Sequence, residues 1–179
     1  MRFELTKEQY DSALAQIEDN ASFETSRKIA KSGKRLPEMT QAMSLKPGLL
    51  NIMDNVGRVI YPGGKLDPVL AEKIIILISE LNSCQFCAGI HTDEIVKGLG
   101  VNSSEKTTPT NDREKAALAY AKQVTIDANK IPDEMFDALK DHFSDEEIVE
   151  ITFHASFMNC LNRFNNALRV TYNDDYPES

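Results

Sequence analysis

Two cysteines, a histidine and a glutamate at regular spacing are the residues of this sequence best suited to chemistry. Cys84 and Cys87 stand three residues apart, and His91 follows Cys87 by four. Glu72 lies twelve residues before Cys84. At about 100° per residue, the two cysteines and the histidine fall within an arc of roughly 60° on one helix face. Two thiols that meet an imidazole and a carboxylate predict nucleophilic or redox thiol chemistry.

The helix that carries these thiols is expected to start just before them, with Asn82 or Ser83 as its cap. Near a helix N-terminus, the macrodipole and unpaired amide donors favour a thiolate, so we expect a lowered pKa for both thiols. Cys84 is nearer the helix N-terminus and gains more from the dipole. Cys87 is nearer His91 and can exchange a proton with it. Which thiol is the nucleophile stays open on these grounds.

Two other interpretations fit the same residues. Free cysteine behaves as a small hydrophobe, so the cluster can be ordinary core. Cys84, Cys87 and His91 are also acceptable zinc ligands, with Glu72 or Glu80 as the fourth. Structural zinc sites usually hold their cysteines on turns and add a second pair, which this sequence lacks. We therefore predict neither a metal nor a cofactor.

Helix start signals recur along the chain and strand signals are scarce, which predicts an all-α fold. The helix from Asp67 to Leu81 is apolar on nearly every side, so it is expected at the centre of the fold. The helix with the two cysteines follows it. Helix starts are predicted at Thr6 with Gln9, Ser22, Pro37, Pro47, Asp67 with Pro68, Asn111 with Glu114, Pro132, and Ser144 with Glu147.

The last predicted helix carries further polar and sulfur-containing residues. Asn159, Asn162 and Asn166 follow helical spacing, which predicts either a buried polar stripe or a solvated face. Cys160 lies among apolar residues and is interpreted as a core thiol. His154 and His142 have no cysteine or carboxylate partner at ligand spacing, so each is interpreted as a surface or satisfied buried histidine and neither is assigned to the site.

Length and charge limit the classes of function. The chain has 179 residues and a formal net charge of −8, with both signs interspersed. Such a surface repels phosphate backbones, so no nucleic-acid partner is predicted. The N-terminal residues are charged, and no stretch approaches the roughly 18 apolar residues of a membrane span. We expect a cytoplasmic protein, without a membrane segment, whose partner is a small molecule or another protein.

The spacing Glu72, eleven residues, Cys84, two residues, Cys87, three residues, His91 resembles the signature of the alkylhydroperoxidase AhpD-like group, within the carboxymuconolactone decarboxylase superfamily. The resemblance implies an all-α helical bundle with a central CxxC helix. It predicts an AhpD-like helical domain over residues 36–179, with residues 1–35 as an N-terminal helical extension. Stretches that resemble the peroxidase-related branch are residues 112–122, 131–136, 143–151 and 162–168.

By this resemblance, the protein is a thiol-dependent peroxidase that reduces alkyl hydroperoxides. Cys87 attacks the peroxide and Cys84 resolves the oxidised intermediate. Glu72 and His91 form the proton relay. In the best-studied pattern, a second histidine directly precedes the later cysteine, whereas this sequence has Phe86 there. The resemblance also implies a dithiol reductant protein, of lipoyl or thioredoxin-like type, and a homo-oligomer, as a trimer or hexamer.

Two other function classes remain open. A lyase like carboxymuconolactone decarboxylase shares the superfamily, and fold alone does not decide chemistry. That reaction does not require cysteines, so the cysteine pair favours the peroxidase. A non-catalytic redox-sensing or scaffold protein would keep the disulfide chemistry with slow turnover.

Overall fold

A computed structural model of the protein describes residues 1–18, 20, 23–60 and 63–172. Within these ranges the chain forms nine α-helices and no strand, which confirms the all-α prediction. No helix among them is both long and apolar enough to span a membrane. The helices are α1 (Lys7–Glu18), α2 (Glu24–Lys31), α3 (Glu38–Ser44), α4 (Leu49–Val59), α5 (Pro68–Leu81), α6 (Gln85–Asp93), α7 (Asp112–Asp127), α8 (Asp133–Lys140) and α9 (Asp145–Leu168).

The predicted capping boxes define helix starts in the structure. The Gln9 N–H donates to Thr6 Oγ1 at 3.3 Å, and the Thr6 N–H donates to Gln9 Oε1 at 2.9 Å. Ser144 and Glu147 make the same reciprocal pair at the start of α9. Each pair satisfies two main-chain donors that the helix itself leaves open. These starts could be read from sequence because both partners are three residues apart.

The described residues of 1–64 and 167–172 belong to one compact unit. In it, α1 packs against α2 and α3 and buries Ala13 and Ile17. The Leu36 N–H donates to the Tyr10 hydroxyl at 2.8 Å, which ties the chain before α3 to α1. The predicted helix start at Ser22 lies outside the described residues. The boundary predicted after residue 35 stays a prediction.

Residues 65–166 form the second compact unit, in which α5 is the central helix. α5 packs against α6, against α7 and against a π-helical turn, Glu94–Gly98, that continues α6. Its apolar side chains are buried around most of its circumference, as its composition predicted. The buried apolar residues of α5 are Leu70, Ala71, Ile74, Ile75, Ile76 and Ile78.

α5 also buries two charged side chains, Glu72 and Lys73, which are 0% and 1% exposed. The Lys73 ammonium lies 2.8 Å from Glu114 Oε2 and donates to the Thr108 carbonyl at 2.8 Å. A buried ammonium is costly unless it is paired and hydrogen-bonded. This ion pair therefore fixes the segment before α7 on α5.

Replacing Lys73 with methionine should lower the free energy of unfolding by about 3–5 kcal/mol, because Glu114 would keep a largely buried charge without its cation. Urea unfolding followed by circular dichroism measures the loss. Lys65→Met is the control, since Lys65 pairs with Glu146 on the exposed surface and should change stability little. Similar losses in the two variants would contradict the role assigned to the buried pair.

Candidate active site

Cys84 occupies the N-cap position of α6, at a sharp turn from α5. Ser83 adopts a left-handed backbone with φ of 53°, and the Cys84 N–H donates to the Ser79 carbonyl at 2.8 Å. Asn82 closes α5 as its C-cap. The predicted cap at Asn82 or Ser83 is therefore wrong. The left-handed backbone of Ser83 changes the direction of the chain, so the cap of α6 is the next residue, Cys84. Cys84 itself stands at the N-terminus of α6, where the main-chain amide of Cys87 donates to its sulfur.

The two thiols of the CxxC motif face each other. Cys84 Sγ and Cys87 Sγ lie 3.0 Å apart, and both side chains are buried and unbridged. At this separation, one thiol can donate a hydrogen bond to the other sulfur. A disulfide requires about 2.05 Å, so an approach of about 1 Å would allow the bond to form. In the reduced protein the two sulfurs can share a proton. On oxidation they can form a disulfide.

This contact moves the two thiol pKa values apart. A hydrogen bond from Cys87 lowers the pKa of Cys84 to about 7, against the opposing effect of burial, and the Asn162 and Asn165 amides help. The hydrogen bond with Cys84, followed by burial, raises the pKa of Cys87. The lowered pKa expected for both thiols is thus found for Cys84 alone. One thiol of the pair therefore ionises near neutral pH while the other keeps its proton.

Glu72 and His91 form a second pair within the same unit. His91 Nδ1 lies 2.9 Å from Glu72 Oε2, and the carboxylate is fully buried while the imidazole is partly exposed. A buried carboxylate on one ring nitrogen fixes the orientation of the imidazole. Within the described ranges, no three histidine, cysteine or carboxylate side chains are arranged to hold a metal ion.

Amide side chains of α9 hold the turn between α5 and α6. Asn82 Nδ2 donates to Asn162 Oδ1 at 3.0 Å and to Asn159 Oδ1 at 2.9 Å. Asn162 Nδ2 donates to Ser79 Oγ at 3.2 Å, and Asn162 is fully buried. Asn166 is exposed but donates to the Asn82 carbonyl at 2.9 Å. The predicted asparagine stripe is thus a polar clamp on the turn that precedes Cys84.

Asn165 is the residue of this site that the sequence did not reveal. It is 0% exposed, and its Nδ2 donates to Cys87 Sγ at 3.2 Å. It lies three residues after Asn162, at the same helical spacing that joins Asn159 to Asn162, and this spacing was the signal that could have added it to the stripe. Only the packing of α9 against the start of α6 shows that its amide faces a sulfur.

The structure corrects the interpretation of Cys160 and the expectation that His154 has no carboxylate partner. Cys160 is exposed rather than part of the core, because it lies seven residues beyond the exposed Phe153 and shares its helix face. His154 is buried, and its Nε2 lies 3.9 Å from Glu150 Oε1, one helical turn earlier. This carboxylate four residues before His154 was the signal that could have found the pair.

His154 should make the protein less stable at mildly acidic pH. Burial lowers the pKa of His154, and the charge of His91 acts in the same direction against Glu150 and Glu72. Below about pH 6.5, the unfolded chain takes up a proton that the folded protein binds less readily, so stability falls as pH falls.

The urea midpoint should therefore decrease between pH 7.5 and pH 5.5, and His154→Asn should decrease less. His142→Asn, which replaces an exposed histidine of the same unit, is the control and should keep the wild-type decrease. An equal decrease in the wild type and in His154→Asn would refute this origin.

No protein-family model matches the chain. Among curated proteins, an uncharacterised Bacillus subtilis (strain 168) protein, YdfG, is 27% identical over 106 residues, which are 54% of this chain and 71% of the relative. An uncharacterised Escherichia coli (strain K12) protein, YnjA, is 26% identical over 114 residues, which are 59% of this chain and 62% of the relative. Because both relatives are uncharacterised, they do not indicate an activity for this chain.

Solved structures match more of the chain. An Agrobacterium tumefaciens protein of unknown function, provisionally named as the antioxidant defence protein AhpD, is 26% identical with a TM-score of 0.67 and covers 75% of this chain and 97% of its own. The chain has the AhpD-like fold. An uncharacterised peroxidase-related protein from Silicibacter sp. TM1040 is 19% identical with a TM-score of 0.75, covering 98% of this chain and 97% of its own. The predicted resemblance to AhpD-like, peroxidase-related proteins is confirmed.

The AhpD-like fold also occurs in an enzyme of another activity. A cysteine-to-alanine variant of the debrominase Bmp8, in complex with 2,3,4-tribromopyrrole, is 21% identical with a TM-score of 0.72 and covers 97% of this chain and 92% of its own. At this identity the likeness shows a shared fold, and one fold can host several reactions. The reaction therefore depends on the residues of the site.

Proposed function

We propose that the protein is a thiol-dependent peroxidase that reduces alkyl hydroperoxides. The observation that carries this proposal is the pair of buried thiols, with Cys84 and Cys87 sulfurs 3.0 Å apart at the start of α6. A pair in which one thiol ionises near neutral pH offers both a nucleophile and a second thiol that can resolve the product. The Glu72–His91 pair offers a proton relay on the neighbouring helix segment.

The first step is nucleophilic attack by a Cys87 thiolate on one oxygen of the hydroperoxide. An S–O bond forms while the O–O bond breaks, so the sulfur is oxidised by two electrons and the peroxide is reduced. The departing alkoxide takes a proton from the relay of His91 and Glu72 and leaves as an alcohol. The sulfur is left as a sulfenic acid.

The second step joins the two sulfurs. The Cys84 sulfur attacks the sulfenic acid of Cys87, the S–S bond forms, and the hydroxyl group leaves as water. A dithiol reductant protein, of the lipoyl or thioredoxin-like type that the resemblance implies, then exchanges with the disulfide and restores both thiols. No cofactor takes part in this cycle.

The assignment of the attacking thiol needs a proton to move between the sulfurs. The lower pKa places the resting charge on Cys84, whereas the proposed nucleophile is Cys87. At 3.0 Å, a proton can pass from Cys87 to Cys84 within the pair. Contact with Asn165 and the sequence proximity of His91 support Cys87 as the thiolate that reacts.

One equivalent of cumene hydroperoxide added to the reduced protein should produce a disulfide between Cys84 and Cys87, because the sulfurs are already in contact. Intact mass and peptide mapping measure it as a loss of two hydrogens. Cys87→Ser should abolish the product, whereas Cys160→Ser, which removes an exposed thiol, should leave it unchanged.

If both thiols stay reduced while peroxide persists, the peroxidase proposal is wrong. If Cys87→Ser forms a sulfenic acid at Cys84 at the wild-type rate, the two roles are exchanged.

Competing functions predict different results with other substrates. A redox sensor would form the disulfide but turn over slowly with a dithiol reductant. A lyase of the carboxymuconolactone decarboxylase type would act on a lactone in the Cys84→Ser, Cys87→Ser double variant, which should be inactive if the thiols carry the reaction. The debrominase on the same fold adds a halogenated pyrrole as a further substrate to compare.

We also propose a cytoplasmic homo-oligomer, a trimer or hexamer. An exposed apolar stripe on α9 supports the proposal of an assembly, with Val149 68% exposed and Phe153 38% exposed. The Phe153 and Phe157 rings stack with centroids 5.5 Å apart. Contiguous exposed aromatic surface is typical of an interface between proteins. A second copy of the chain would bury this stripe.

Phe153→Glu should shift the protein toward the 20.1 kDa monomer, because a carboxylate would have to be desolvated in the proposed interface. Size-exclusion chromatography with light scattering measures the mass. Lys122→Glu, which also replaces an exposed side chain with glutamate, is the control and should keep the wild-type mass. A monomeric wild type would overturn the proposed assembly.

A further inference from the structure

We infer that Asn165 is a further catalytic residue, whose side-chain amide donates to the Cys87 sulfur and stabilises it as the reacting thiolate. The observation is a 3.2 Å contact from Asn165 Nδ2 to Cys87 Sγ, made by a side chain that is 0% exposed. The inference deepens the proposed peroxidase function and rests on it for the peroxide step. The hydrogen bond itself can be tested without peroxide.

The Asn165 amide lies beside the Cys87 sulfur, which can carry a negative charge. A hydrogen-bond donor stabilises that charge, whereas an apolar side chain of the same shape would not. A protonated thiol is a weak acceptor, but a hydrogen bond to a charged sulfur is worth roughly twice a neutral one. The opposite amide orientation would turn Asn165 Oδ1 toward a sulfur that can carry negative charge, which is repulsive. A donor to Cys87 is therefore the arrangement that the chemistry of the thiol pair favours.

Neighbouring amides keep α9 in register with the thiols. Asn162, three residues before Asn165, has its oxygen engaged by Asn82 and its nitrogen engaged by Ser79. These contacts connect α9 to the last turn of α5 and to its C-cap, just before Cys84. Asn165 thus approaches Cys87 from a helix that is fixed in place, which reduces the cost of holding the donor on the sulfur.

The donor affects which sulfur carries the single charge of the pair. The main-chain amide of Cys87 at the start of α6 stabilises a thiolate at Cys84, where Asn165 has the smallest effect, whereas the 3.2 Å contact of Asn165 is with Cys87. The two sulfurs are 3.0 Å apart, so a small change in donor strength can move the proton between them. Asn165 therefore supplies the stabilisation that makes Cys87 available as a nucleophile.

The test measures the pKa of Cys87 in a Cys84→Ser background, with and without Asn165→Leu. Leucine has nearly the shape of asparagine and removes the donor. The pKa of Cys87 should rise by about one unit, and its alkylation by iodoacetamide at a pH below the pKa should fall about tenfold. Peptide mapping confirms that Cys87 is the alkylated residue.

The matched control is Asn20→Leu, which removes a buried amide whose Nδ2 contacts the Leu50 carbonyl in the other compact unit. This control should leave the pKa of Cys87 unchanged. An unchanged pKa of Cys87 in a folded Asn165→Leu protein would overturn the inference. If Asn165 had only a structural role, its replacement would change the unfolding temperature and leave the pKa of Cys87 as it was.

A measurement on the unmodified amide covers the case in which Asn165→Leu does not fold. In the Cys84→Ser variant, the NMR signals of the Asn165 side-chain NH₂ should shift with pH and follow the pKa of Cys87. Signals that do not move as Cys87 ionises would overturn the hydrogen bond.

The peroxide step is then measured in the chain that retains both cysteines. Asn165→Leu should slow disulfide formation by cumene hydroperoxide about tenfold at pH 7, in proportion to the lost thiolate. If the pKa rises but no variant reacts with peroxide, the role of Asn165 at the thiol stands and the proposed peroxidase function fails. If peroxide reacts at the wild-type rate despite the higher pKa, Asn165 is not catalytic.

Discussion

The close approach of two buried sulfurs is the constraint on which the rest of the site depends. With Cys84 and Cys87 3.0 Å apart, two thiolates cannot coexist, so the pair loses one proton readily and keeps the other. A single charge in a buried position needs donors around it. The main-chain amide of Cys87, in the first turn of α6, and the side-chain amide of Asn165 meet that need.

Burial of charge also shapes the helix that precedes the thiols. α5 is apolar almost all round, yet it buries Glu72 and Lys73 side by side. Their partners differ, because Glu72 faces His91 while Lys73 faces Glu114 on α7. One charge therefore serves the candidate site and the other anchors the start of α7. Neither could be buried at an acceptable cost without its partner.

α9 contributes side chains to the candidate site on one face and to the protein surface on the other. Its buried side carries Asn162 and Asn165 against the turn before Cys84 and against Cys87. Its opposite side exposes Phe153 and Cys160. A 24-residue helix can do both because its two faces are set by the same 3.6-residue period. Cys160 has apolar neighbours in sequence but lies on the exposed helix face, and the helix face decides its exposure.

The sequence by itself determined the all-α class, the capping boxes and the CxxC helix next to a buried apolar helix, because these depend on residues within a few positions of one another. Tertiary structure alone decided that Cys84 caps its helix, that Asn165 faces Cys87 and that Lys73 meets Glu114. These contacts join residues up to 78 positions apart or depend on the backbone of one turn. No local period encodes them, since they arise when helices pack.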